Sequence, residues 1–258
     1  MTPFADALAW LADPTHWSGQ TDIGQRLLEH LAVTAGVVAL AAVLALPVGV
    51  LVGHTHRGRG TVAALAGAAR AVPTLGLLTI LGLGLGIGLQ APVIALIVLA
   101  IPSLLAGAYA GVGNVDPATV DAARATGLSE RQIITRVELP LAAPVLVGGL
   151  RATTLQVVAT ATLAAYIADV GLGRYLYAGL KARDYPQMLA GALLVAALAI
   201  ALELLLAVLQ RAARRAAQPA HHAAPVPKTV ASPGPTRPSP DHPAAPEGAR
   251  TPLLKGHR

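Results

Sequence analysis

Residues 114–140 read NVDPATVDAARATGLSERQIITRVELP. This stretch is too long for a simple helix hairpin and too regular for a slack loop. Asp116-Pro117 is a helix start, an acceptor side chain at the N-cap followed by proline in the first turn. Ala118 to Thr126 are good or tolerable helix residues. Gly127 ends that helix where a left-handed cap is needed. Ser129 begins a second helix, and Gln132 three residues later completes a capping box. Pro140 follows the expected end of this second helix. The pattern is helix, glycine turn, helix.

Apolar stretches flank this loop on both sides. A helix needs roughly 20 apolar residues to cross a bilayer. Ala91–Gly113, just before the loop, contains no Asp, Glu, Lys or Arg. Leu141–Tyr166, just after it, is interrupted only by Arg151. Leu31–Gly53 is another charge-free span, and Gln187–Leu209 a further one with Glu203 inside. Thr61–Leu83 contains Arg70, so this span either includes that charge or begins after it and runs to Leu89. The expected architecture is an all-α polytopic membrane protein with five transmembrane helices. It has an N-terminal segment, residues 1–26, and a membrane domain, residues 27–210. Residues 211–258 form a tail.

Composition agrees. The 258 residues are 54% hydrophobic, 3% aromatic and 12% charged, the last about half the share of a soluble domain. The spans are built from Ala, Leu, Val and Gly, small residues that let helix backbones approach in lipid. Pro47, Pro73, Pro102 and Pro144 fall within spans, where each removes a backbone donor and is expected to kink its helix.

The formal charge of +6 at first suggests nucleic acid. Residues 1–210, however, hold 11 Lys/Arg and 11 Asp/Glu, whereas residues 211–258 hold 8 and 2. The excess lies in the tail, and no basic nucleic-acid face is expected on the body. Ten of the 20 prolines also lie in the tail, which is expected to be a disordered, basic cytoplasmic segment. Its first arginines suit anionic lipid headgroups. His221-His222 is either a metal-binding pair or part of a solvated tail.

Basic residues set the orientation. Arg57 and Arg59 follow the first span, Arg124, Arg131 and Arg136 lie in the long loop, and Arg211, Arg214 and Arg215 follow the last span. These segments are expected to face the cytoplasm, with the acidic N-terminus outside and the C-terminus inside. Arg174, Lys181 and Arg183 dissent, because they fall in a connection that the odd–even count places outside. The first 26 residues lack the basic start and short apolar core of a cleavable signal peptide.

Asp121-Ala122-Ala123, then Gly127, then Val137-Glu138-Leu139-Pro140 resembles the signature loop of the inner-membrane permeases of ATP-binding-cassette importers. The family pattern is Glu-Ala-Ala, three residues, Gly, nine residues, Ile, one residue, Leu-Pro. Asp121 stands for the usual Glu and Val137 for Ile. The resemblance implies a type I importer permease fold like that of methionine permeases, with a coupling helix that docks on a separate ATPase subunit. It assigns the coupling role to Asp121, Ala122, Ala123, Gly127, Leu139 and Pro140. It also implies a second permease copy, identical or paralogous, and an extracytoplasmic solute-binding protein.

Three further stretches, 160–167, 171–174 and 184–186, are similar to the osmoprotectant branch, whose solutes are glycine betaine, choline and carnitine. Tyr109-Ala110-Gly111 and Val115-Asp116-Pro117 fit it too. Two departures stand out. Many relatives have Gly-Ala-Gly-Gly-Leu-Gly where this chain has Ala168-Asp169-Val170-Gly171-Leu172-Gly173. Many also carry a polar residue where this chain reads Ala106-Gly107-Ala108.

Cysteine is absent, which excludes disulfides and thiolate metal sites. Lys181, Lys228 and Lys255 are the only lysines, and none completes a phosphate-binding loop. The chain is therefore not expected to be the ATPase: ATP and magnesium belong on the partner, and no catalytic or metal site is expected here. Thr153, Gln156 and Thr160 share one helix face. They either line a solute pathway or bond neighbouring helices. Arg70, Arg151 and Glu203 are intramembrane charges, serving transport or structural pairing. Aromatic residues are too sparse for a tight quaternary-ammonium cage in the membrane, so capture is expected on the binding protein. A permease for methionine or a related amino acid is the nearest alternative, followed by an ion-driven carrier and a membrane scaffold.

Overall fold

The computed structural model describes residues 3–19 and 22–217, with Arg70 by its backbone alone. Among the described residues there is no strand. The helices are α1 (Pro3–Ala12), α2 (Ile23–Thr55), α3 (Arg59–Ala71), α4 (Thr74–Leu85), α5 (Gln90–Gly113), α6 (Pro117–Ala125), α7 (Glu130–Ile133), α8 (Leu139–Ala161), α9 (Ala165–Ala168), α10 (Gly173–Ala182) and α11 (Tyr185–Ala217). A 3-10 turn spans Pro14–Trp17, another joins α8 to α9, and a π-helical segment, Ile134–Glu138, joins α7 to α8.

Among the described residues, four helices are long and apolar enough to cross a membrane: Ile23–Thr55, Gln90–Gly113, Glu130–Ala168 and Tyr185–Ala217. The fifth expected span is broken. Thr61–Leu83 is divided between α3 and α4, which meet at 83° around Pro73. A proline disfavours helical geometry in the residue before it, and at this position the backbone follows that preference. Val72 is extended, with φ −71° and ψ 122°. Pro47, Pro102 and Pro144 instead lie inside continuous helices. Taking the bent pair as one span restores the count of five.

The second helix of the long loop does not stop before Pro140. It runs on through the π-helical segment into α8, as one 39-residue element, Glu130–Ala168. Pro140 offers no N–H to the carbonyl four residues back. The π turn, in which the Leu139 N–H bonds Ile134 O, absorbs that loss within the helix.

The core is built from close backbone approaches. α2 packs on α5, α5 on α8, and α8 on α11. On α2, Gly49 and Gly53 lie one turn apart against Ala108 and Val112 of α5. A Cβ at Gly49 would sit 2.5 Å from Ala108 Cβ, and one at Gly53 2.7 Å from Val112 Cβ. Gly107 of α5 and Gly149 of α8 meet backbone to backbone, a Cβ at Gly107 falling 3.1 Å from Gly149 Cα. In lipid, such approach supplies the dispersion contacts that apolar burial cannot drive. Val37, Ala41, Leu96, Leu104 and Val157 fill the space between these helices. A second cluster, Ile23, Val158, Leu172, Tyr175 and Leu198, seals the opposite end with Trp10 of α1.

α11 continues to Ala217, past the expected start of the tail at residue 211. The rest of that tail, including His221 and His222, lies outside the described residues.

Candidate functional site

The α6–α7 hairpin forms as its sequence dictates. The Asp116 carboxylate accepts the Ala118 amide at 3.0 Å, capping α6. At the other end Gly127 adopts φ +86°, the Leu128 N–H bonds Ala123 O at 3.3 Å, and the Gly127 N–H bonds Arg124 O at 2.9 Å. Those two bonds are the Schellman pair that closes a helix on a left-handed residue. The Gln132 side-chain oxygen accepts the Ser129 amide at 2.9 Å, one arm of the expected capping box.

Arg124 then ties α6 to α7. Its Nε and Nη2 donate to the two oxygens of Glu130 at 2.9 and 3.1 Å, and its Nη1 to Asp121 at 3.0 Å. The Arg124 guanidinium, helped by His54, holds the Glu130 carboxyl below the usual carboxylate range. Asp121, in the place where the signature usually carries Glu, thus serves as an anchor for Arg124. Of the α6 residues only Val120 is buried. Asp121 and Ala122 are exposed and Ala123 half-buried, so the small-residue face of α6 is open. Gly127 and Pro140 are exposed, and Leu139 is half-buried where the hairpin joins α8.

The sequence reading missed His54 and Glu138. His54 ends α2 and reaches across to the hairpin. Its Nδ1 lies 2.8 Å from Glu138 and its Nε2 3.1 Å from Glu130. Glu138 is buried, 3% exposed. A cavity of about 240 Å³ lies beside these groups, bordered by Val112, Val120 and Asp121. A histidine in the last turn of an otherwise apolar span was the available signal, together with an acidic residue inside the signature.

The polar stripe on α8 divides. Thr153 is fully buried, and its hydroxyl finds no hydrogen-bond partner among the described residues. Thr160 bonds its own helix, to Gln156 O at 2.8 Å. Gln156 is exposed, and Ser103 of α5 donates to its side-chain oxygen at 3.0 Å. A cavity of about 280 Å³ opens here, bordered by Thr74, Leu99, Pro102, Ser103 and Gln156. It lies at the α3–α4 break. Irregular backbone at membrane depth is tolerated where it lines a cavity.

Two of the three intramembrane charges pair. Arg151 Nε donates to Glu203 at 2.7 Å, and Arg151 Nη1 to Gln210 at 2.8 Å. Gln210 donates in turn to Pro144 O at 3.2 Å. Gly148 makes room for it, because a Cβ there would meet Gln210 Nε2 at 2.6 Å. The Arg70 side chain is outside the described residues.

At the opposite end, α2 grips the connection before α10. Arg26 donates to Asp169 O at 2.6 Å, Glu29 accepts the Gly171 amide at 3.1 Å, and His30 Nε2 lies 3.0 Å from Val158 O. Asp169, one of the departures from the osmoprotectant pattern, takes φ +52° and pairs with Arg174 at 2.6 Å. That pair neutralises one of the basic residues that dissented from the orientation. The sparse aromatics form one close tyrosine pair here, Tyr166 and Tyr177, with centroids 5.5 Å apart.

The family described as "Binding-protein-dependent transport system inner membrane component" matches residues 21–215. The chain is 31% identical over 199 residues to the choline transport system permease protein OpuBB of Bacillus subtilis (strain 168), covering 74% of this chain and 90% of that one. It is 29% identical over 207 residues to the carnitine transport permease protein OpuCD of Listeria monocytogenes serotype 1/2a (strain 10403S), covering 80% and 92%. It is 30% identical to the osmoprotectant import permease protein OsmW of Salmonella typhimurium, covering 70% and 87%. Among solved structures it is similar to the MetNI methionine ABC transporter in inward-facing conformations, with a TM-score of 0.66 and 25% identity over 78% of this chain and 99% of that one. The chain belongs to the family of multi-pass inner-membrane components of binding-protein-dependent transport systems, the transmembrane permeases that work with a separate ATPase and a solute-binding protein.

Proposed function

We propose that this permease carries a compatible solute of the choline, glycine betaine and carnitine class into the cell, driven by ATP and magnesium bound on the partner ATPase. The observation that carries the coupling half of this reading is the α6–α7 hairpin, a capped helix whose Asp121-Ala122-Ala123 face is open. A helix with small exposed residues lets another chain's backbone approach closely, and Gly127 sets the turn that presents it. Leu139 and Pro140 join the hairpin directly to α8, so a push on α6 reaches the membrane helices. The solute class rests on the relatives named for choline, carnitine and osmoprotectants.

The hairpin end faces the cytoplasm in this reading, because Arg57, Arg59, Arg131, Arg136, Arg211, Arg214 and Arg215 gather on its side. The N-terminus is then outside and the C-terminus inside. A second copy, identical or paralogous, completes the pathway. Gln156, with Ser103 and Thr74 beside it, is the pathway wall: neutral amide and hydroxyl groups bond a passing solute without retaining it. Thr160 bonds its own helix, and Thr153 is buried with a hydroxyl that has no partner among the described residues.

The test is reconstitution in vesicles with the co-purifying ATPase and binding protein. ATP-dependent uptake of radiolabelled choline or glycine betaine is expected, and Gly127→Trp should abolish uptake and ATPase co-purification together. Uptake of methionine instead would move the solute to the amino-acid class. Uptake without ATP would replace the reading with an ion-driven carrier.

A further inference from the structure

His54 lies outside the signature and belongs to the first span, yet it makes two polar contacts that join α2 to the coupling region. Two segments meet at its ring, and a third borders the cavity beside it. Nδ1 faces the buried Glu138 of the π-helical segment at 2.8 Å, and Nε2 faces Glu130 of α7 at 3.1 Å. Asp121 and Arg124 of α6 border the same cavity, and His56 approaches from the following connection. A neutral imidazole has one N–H and one lone pair. With carboxylates at both nitrogens, a neutral ring would aim its lone pair at an anion. With both carboxylates ionised, both contacts are attractive only when both nitrogens donate, and a ring that donates from both is a cation.

The mechanical setting gives that cation a task. α5 runs covalently into the hairpin at one side, and α8 leaves it at the other. α2 has no such continuity. It is mated to α5 through Gly49 and Gly53, and to the hairpin through His54 immediately after Gly53. We propose that His54 is the positioning residue that couples α2 to the ATPase-docking hairpin, acting as a cationic cross-brace between Glu130 and Glu138. The proposal rests on the reading of residues 114–140 as the ATPase-docking loop. Without the brace, α6 still docks, but its displacement reaches α2 only indirectly, through the packing of α2 on α5 and α8.

The experiment uses the permease with its co-purifying ATPase and binding protein in vesicles, with radiolabelled choline as the solute. For His54→Ala, ATPase co-purification and basal ATP hydrolysis should stay within about twofold of wild type, while choline moved per ATP falls about tenfold. His54→Lys, which restores a cation, should recover at least half of that ratio. A wild-type ratio in His54→Ala overturns the proposal, and so does a His54→Lys variant as uncoupled as His54→Ala. If His54→Ala fails to fold, His54→Ala with Glu138→Gln removes the unpaired buried charge. Uncoupling in that folded pair supports the proposal, and normal coupling overturns it. A wild-type chain that holds no ATPase overturns the docking reading and the brace with it, and is told apart by its loss of co-purification.

Discussion

Arg151 of α8 and Glu203 of α11 form an ion pair between two membrane-spanning helices, with Arg151 Nε donating to Glu203 at 2.7 Å and Gln210 completing the guanidinium's partners. Each charge alone is costly at membrane depth. Together they fix the rotation of α11 against α8, because only one register brings position 203 beside position 151 and position 210 beside Pro144. Glu203→Ala leaves the guanidinium without its counter-charge and should destabilise the folded permease by about 1–3 kcal/mol. Arg151→Met with Glu203→Leu should recover most of that loss. Thermal unfolding of the purified chain in detergent measures both. Equal stability of Glu203→Ala and wild type would remove the pair from the account.

The glycine contacts predict a sharp contrast. Gly149→Val would place its Cβ 3.2 Å from Gly107 Cα, against backbone that cannot turn aside. A loss of about 1–3 kcal/mol is expected from overpacking. Gly36→Ala, in α2 with nothing within 4 Å of its added Cβ, should be neutral or stabilising by up to about 1 kcal/mol through helix propensity. The same unfolding assay decides, and similar losses at both positions would contradict the packing described.

The α8 stripe is separable by function. Thr153→Val keeps the shape of a buried side chain and removes a hydroxyl without a partner, so stability should hold or rise by about 1 kcal/mol and uptake should be unchanged. Gln156→Leu, on the exposed face beside Ser103, should lower choline uptake about tenfold with ATPase co-purification intact. Equal uptake in the two variants would remove Gln156 from the pathway wall.

Acid should loosen the hairpin. Glu130 titrates below its ordinary value chiefly through Arg124, then through His54. A depressed carboxylate pKa contributes stability that is fully present above the unfolded value, 4.5, and is lost as pH falls through the lower folded value. Hydrogen exchange of the 117–133 amides should therefore accelerate below pH 4.5 and slow again above it, after correction for intrinsic rates. Glu130→Gln should remove that step.

Much of this was readable along the chain. Asp116, Gly127, Ser129 and Gln132 act on backbone groups within a few residues of themselves, so their sequence spacing specifies the hairpin. The apolar spans were readable for a similar reason, because hydropathy is a property of a window and not of a neighbour. The prolines were not readable one by one. Pro73 breaks its span, whereas Pro47, Pro102 and Pro144 lie within continuous helices, and the residues beside them do not distinguish the cases.

What the sequence by itself determined is the all-helical membrane character, the four long apolar spans, and the capped hairpin at residues 114–140. Those follow from local backbone chemistry and from the cost of exposing polar groups to lipid. The tertiary structure alone decided which polar side chains meet. His54 and Glu138 lie 84 residues apart, and Arg151 and Glu203 52. Their pairing depends on the rotation and depth of each helix in the bundle, and those are set by where Gly49, Gly53, Gly107 and Gly149 allow backbones to touch.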